Sequence, residues 1–173
     1  KIKQQNFKFT LDNFKNISEH FCENQVSGVL LDCGVSSPQL DTSNRGFSFS
    51  KDAPLDMRFG KTIPNDAKKI VNNYSIEELT SIFKNFGQEE ESRKIAKQIA
   101  VERKKDELQT TLQLAELIRK TKKKYTKNNP ATKVFQAIRM EINDEVGNLR
   151  CCLQALEKIL KNHGRALIIT FHS

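Results

Sequence analysis

The chain has 173 residues, 37% of them hydrophobic and 29% charged, with a formal net charge of +8. That is enough apolar material for one substantial core and a small second lobe, while no apolar run approaches membrane-spanning length and Lys1-Ile-Lys-Gln-Gln-Asn6 lacks the apolar stretch of a secretory leader. Four cysteines without a C-x-x-C pair, beside three histidines, speak against a disulfide scaffold or a metal centre and for reduced thiols in a cytoplasmic or organellar-matrix protein.

Phe7-Lys-Phe-Thr-Leu11 alternates like a strand, and Ile17 to Phe21 fits a short helix. Gly28-Val-Leu-Leu-Asp32 follows, an apolar run too short for a helix and bounded by Gly28 and Gly34, so a fully covered parallel strand is expected. Ligands of open α/β sheets sit outside the carboxyl ends of the strands, which puts Asp32, Ser36, Ser37 and Gln39 at the crevice. The Gly, Pro, Ser and Asp content of Asn44 to Gly60 reads as an ordered loop.

Helical patterning then takes over. Ser75 with Glu78 forms a capping box before Leu79, Ile82 and Phe83, and Gly87 is expected to close that helix as a left-handed cap. Residues 89–105 put acids first and bases last around Ile95, Ala96 and Ile99, and Thr110 with Gln113 starts a third helix through Leu114, Leu117 and Ile118. Arg119, Lys120, Lys122, Lys123, Lys124 and Lys127 crowd the end of it. Such a cluster either draws phosphates or simply complements a helix C-terminus in water. A longer helical region runs from Ala131 to Leu160, with Gly147 as the expected break and Asn162-His-Gly164 as the stop. Arg165 to Ser173 reads as another buried strand, a parallel neighbour of 28–32. The predicted organisation is therefore α/β, with residues 1–58 and 131–173 forming the sheet-bearing part and 59–130 a helical insertion at its ligand-facing edge.

Five blocks in order, Asp32-Cys-Gly-Val-Ser-Ser-Pro-Gln-Leu-Asp41, Arg45-Gly-Phe-Ser-Phe49, Pro54-Leu-Asp-Met-Arg58, Asn129-Pro-Ala-Thr-Lys-Val-Phe-Gln-Ala-Ile-Arg139 and Phe171-His-Ser173, resemble the signatures of the RsmH (MraW) methyltransferases. The resemblance spans essentially the whole chain. It implies a partial Rossmann-like class I methyltransferase sheet with an inserted all-helical domain for RNA recognition. It also implies direct methyl transfer from S-adenosyl-L-methionine to the exocyclic N4 of a cytosine in small-subunit ribosomal RNA, with that RNA or the ribosomal subunit as partner and neither metal nor membrane involved.

By this resemblance Phe14, Asp32 and Gln39 match cofactor-contacting positions; read from the residues alone they are equally a core aromatic, a turn carboxylate and a loop amide. Ser36, Ser37 and Pro38 are candidates for lining the cytosine pocket, or plain turn formers. Arg45, Phe47, Arg58, Lys122, Lys123, Lys124 and Arg139 are candidate RNA contacts, with stacking on a flipped base as the role of Phe47 and anchoring of the loop to the core as its alternative. Cys33 points oppositely to Asp32 along its strand and reads as a structural thiol.

Two features depart from the family pattern. No G-x-G turn and no acid on a second strand are present to hold a ribose, which reads as an internal fragment, inactive alone, that lacks half of the cofactor pocket. A truncated, non-catalytic RNA-binding paralogue is the alternative. Asn129 stands where relatives often carry His or Asp, and its role is open.

Overall fold

The computed structural model describes residues 7–35, 45–49, 51–122 and 129–170. It divides into two compact units, one made of Lys1–Gly34 with Glu145–Ser173 and the other of Val35–Asp144.

In the first unit a 3₁₀ turn, Phe14–Asn16, leads into α1, Ile17–His20, and then into β1, Val26–Asp32. The unit closes with α7, Glu145–Ile159, and β2, Leu160–Ile169. The two strands pair in parallel, Gly28 opposite Arg165 through Asp32 opposite Ile169, with a register irregularity between Val26 and Gly28. The predicted stop at Asn162-His-Gly164 falls within that irregularity, where His163 takes a φ of 66°. Alternation along β1 sends Val29 and Leu31 toward α7, where Leu31 packs with Cys152, Leu156 and Ile159. Leu30 and Leu167, paired on the other face, are 65% and 61% exposed. Among the described residues the sheet is thus covered on one face by α7, and within them the strand is not buried on both sides as its apolar run suggested.

The expected strand at 7–11 does not form. Phe7, Phe9 and Leu11 are exposed, and no described residue pairs with that segment; alternation alone cannot hold a strand whose backbone groups lack a ladder.

The second unit holds five helices among its described residues: α2, Ala67–Asn73; α3, Ile76–Asn85; α4, Ser92–Glu102; α5, Thr111–Thr121; and α6, Thr132–Ile142. One core runs through them, with Ile70, Leu79, Phe83, Ile95, Ile99, Leu114, Ile118 and Ile138 fully buried. Both capping boxes form: Ser75 Oγ accepts the Glu78 N–H at 3.1 Å while Glu78 Oε2 accepts the Ser75 N–H at 2.7 Å, and Thr110 and Gln113 do the same.

Gly87 serves otherwise than expected. It is Gln88 that takes the left-handed conformation, with φ 50°. A Cβ on Gly87 would lie 2.5 Å from the Lys133 carbonyl oxygen and 2.8 Å from that of Phe83, so glycine is required there for the close approach of α6. The long helical region also breaks elsewhere. Gly147 lies inside α7, and the interruption falls at Asn143 and Asp144, the latter with φ 45°.

α6 extends beyond the 131 boundary read from the sequence but packs on α3 and α2. The second unit consequently spans Val35–Asp144, a wider stretch than 59–130.

Candidate functional site

At the carboxyl end of β1, Asp32 is exposed and its carboxylate makes no hydrogen bond or ion pair to any described residue. The strand alternation that turns Asp32 outward turns Cys33 inward, against the cluster on α7. Burial pushes the Cys33 thiol upward, reinforced by the Asp32 and Glu145 carboxylates, which makes it a poor nucleophile. Gly34 then takes φ 125°, a conformation that side chains rarely adopt, and turns the chain away from the sheet. Ser36, Ser37, Pro38 and Gln39 follow directly but lie outside the described residues.

Phe14 belongs to the same unit. Its 3₁₀ turn packs on α7 and is fixed by Asp12, which accepts the Asn13 N–H at 2.7 Å and the Asn16 amide at 3.0 Å and pairs with His20 Nε2 at 2.7 Å. The His20 hydrogen bond, with those of Asn13 and Asn16, lowers the Asp12 carboxyl below its ordinary value. Phe14 is left 39% exposed, an apolar ring on a rigid turn.

Arg45, Phe47 and Arg58 come together in the second unit. One guanidinium nitrogen of Arg45 donates to the carbonyls of Arg58 and Phe59, at 2.7 and 2.8 Å, and the group lies 5.5 Å from the Phe47 ring centroid. Phe47 is buried and stacks on Phe59 at 5.7 Å, while Phe49 meets Phe135 edge-on at 5.4 Å. Arg58 grips both oxygens of Asp56, at 2.7 and 3.0 Å, and donates to the Ile63 carbonyl. That hydrogen bond holds the Asp56 carboxyl below its usual range. Between them Met57, with φ 60°, is buried, and its N–H donates to the Arg45 carbonyl. The loop is a self-satisfied polar frame around an aromatic pair.

Lys122 forms a 2.7 Å ion pair with Glu89, the two side chains only 8% and 3% exposed. Lys123 and Lys124 lie outside the described residues. Arg139 is half-buried on α6, and its carbonyl accepts the Asn143 backbone N–H at 3.1 Å and side-chain amide at 2.8 Å. Asn129 Oδ1 accepts the Ala131 N–H at 2.9 Å just ahead of α6.

Reading the sequence missed Asp56, Glu89 and Asn143. Asp56 stands two residues from Arg58 in a block singled out as a whole, whereas Asn143 carried no local signal because its partners, Phe59 and Met57, are far away in the chain.

A family model described as the MraW methylase family matches residues 1–173. The chain is 44% identical to "Ribosomal RNA small subunit methyltransferase H" of Clostridium botulinum over 98% of its own length. It is 43% identical over 95% to the protein of that name from Neorickettsia sennetsu, and 42% identical over 99% to that of Francisella philomiragia. The matched stretch covers 56%, 56% and 58% of those three proteins, so the chain spans little more than half of their length.

Proposed function

Because the chain belongs to the MraW methylase family, we propose that the gene product carrying it methylates the exocyclic N4 of a cytosine in small-subunit ribosomal RNA, with S-adenosyl-L-methionine as methyl donor. The observation that carries this reading is the coincidence of a family match over the whole chain with an exposed carboxylate, unpaired among the described residues, at the carboxyl end of a parallel strand pair. On this reading the sheet is part of a Rossmann-like class I methyltransferase, and the helical segment 59–130 recognises RNA.

The chemistry of the residues present fits the donor. A carboxylate only accepts hydrogen bonds, so Asp32 suits the hydroxyl and ammonium groups of the donor, as the Gln39 amide does, and the half-exposed Phe14 ring suits a purine face. When bound, S-adenosylmethionine supplies an electrophilic methyl on a sulfonium. Ser36, Ser37 and Pro38 then act by positioning: their hydroxyls and carbonyls accept the N–H groups of the cytosine amine and aim its lone pair. Arg45, Phe47 and Arg58 shape a rigid loop beside which RNA rests, and Arg139 adds positive charge.

The test is a nucleoside digest of small-subunit RNA treated with the full-length gene product. N4-methylcytidine is the expected product, and Asp32→Ala is expected to weaken donor binding at least about tenfold in calorimetry, equal to about 1.4 kcal/mol, with the melting temperature kept. Absence of any N4-methylated cytosine overturns the reading. Unchanged donor affinity in Asp32→Ala removes Asp32 from the site.

A further inference from the structure

Arg45, Arg58 and Lys122 are engaged inside the second unit, so the cations free to meet a polyanion must be sought elsewhere. Residues 92–105 carry Arg93, Lys94, Lys97, Arg103, Lys104 and Lys105 against the single acid Glu102. α4 buries Ser92, Ile95, Ala96, Ile99 and Ala100. Lys94 is tied to Glu91 and to the Thr121 carbonyl, Arg103 donates to the Val71 carbonyl at 2.8 Å, and Lys105 pairs with Glu102 at 3.2 Å. Arg93, Lys97 and Lys104 remain exposed, their side chains without a hydrogen bond or ion pair to any described residue.

We propose that the outer side of α4, through Arg93, Lys97 and Lys104, is a phosphate-binding surface for RNA. The proposal rests on the RNA substrate named above and assigns it a footprint. Arg93 and Lys97 stand one turn apart, about 6 Å along the axis, and Lys104 sits in the turn that closes the helix. Long side chains at that spacing reach successive phosphates without ordering themselves beforehand, and Val101 is exposed between them. The neighbouring flank of α4 has the opposite character. It lines a groove of about 580 Å³ whose walls carry Glu102, Asp106, Glu107 and Glu116 beside Lys94 and Lys120, with Glu102, Glu107 and Glu116 paired to Lys105, Lys68 and Lys120. Its acids make this flank the counterpart against which the outer side is tested.

Contacts of this kind recognise charge and not sequence, so their signature is in salt dependence. The experiment titrates the full-length protein and its Arg93→Gln/Lys97→Gln/Lys104→Gln variant with two probes, a poly(A) strand and an RNA duplex, between 50 and 200 mM salt. The expected result is a loss of at least about tenfold for both probes at low salt, and a salt slope reduced by up to about 0.7 per lost contact on the strand and about 0.9 on the duplex. A Glu102→Gln/Glu116→Gln variant serves as the counterpart and is expected to bind as well or better. Wild-type binding that is unchanged in the triple variant overturns the proposal, and so does an equal loss in both variants. If the wild type binds neither probe, the RNA reading itself fails. Coincident melting temperatures for all three proteins attribute any difference to the surface.

Discussion

Three hydrogen bonds converge on the Asn143 side chain: its oxygen accepts the Phe59 N–H at 2.7 Å, and its nitrogen donates to the carbonyls of Met57 and Arg139 at 2.9 and 2.8 Å. The residue is buried, so truncation strands a donor and an acceptor away from water. Asn143→Ala should therefore lower stability by about 2–3 kcal/mol, seen as a lower urea midpoint at unchanged slope. It is this side chain, and not a glycine, that ends α6. Gly147, inside α7, merely weakens a helix, and Gly147→Ala should raise stability by about 1 kcal/mol. A reversed order of these two effects would return the break to Gly147.

At the scale of elements, the Lys122–Glu89 pair ties the end of α5 to the segment that enters α4. Glu89 also accepts the Glu91 N–H at 3.1 Å, so the carboxylate is held from both sides. Removing one partner leaves a buried charge uncompensated, and Lys122→Ala should cost about 3 kcal/mol or more, whereas Lys122→Met combined with Glu89→Leu should recover most of it. A double-mutant cycle in chemical denaturation measures the difference. The same elements show what a sequence exposes. Both capping boxes were legible because donor and acceptor sit three residues apart. The pairing of β1 with β2 followed from two apolar runs joined by helices. The strand at 7–11, the roles of Gly87 and Gly147, and the half-covered sheet were not legible, since each depends on what distant chain does or does not come alongside. For the candidate site, Asp32 could be placed at a strand end from local pattern, but the internal bonding of Arg45, Arg58 and Lys122 could not, because an arginine or lysine looks the same in sequence whether it faces a carbonyl or solvent.

Across the whole molecule, carboxylates are held below their ordinary values in both units. Asp56 is lowered by its Arg58 hydrogen bonds, Glu78 by the Ser75 backbone, Glu107 by Lys68 and Asp12 by His20. A group whose folded value is depressed contributes stability that is complete above its unfolded value, here 3.8 for Asp and 4.5 for Glu, and loses it as pH falls through the folded value. The denaturation midpoint should accordingly drop below about pH 4.5. The deficit of Asp56→Asn relative to wild type should be full at pH 6 and shrink as pH falls below 3.8; a deficit constant with pH would mean that Asp56 acts without its charge.

The pairing of Val26–Asp32 with Leu160–Ile169 also sets an order of events during synthesis. β1 is translated before all of Val35–Asp144, a stretch with a core of its own, and its partner only after it. The helical unit can therefore fold on the ribosome while β1 waits, its Val29, Leu30 and Leu31 uncovered and its edge open to the wrong neighbour. Closing so long a span adds little equilibrium cost, since loop entropy grows only logarithmically, but it makes sheet formation the slow step. The strand bearing Asp32 is thus made well ahead of the partner that completes its pairing, and during that interval the nascent protein is open to misassociation.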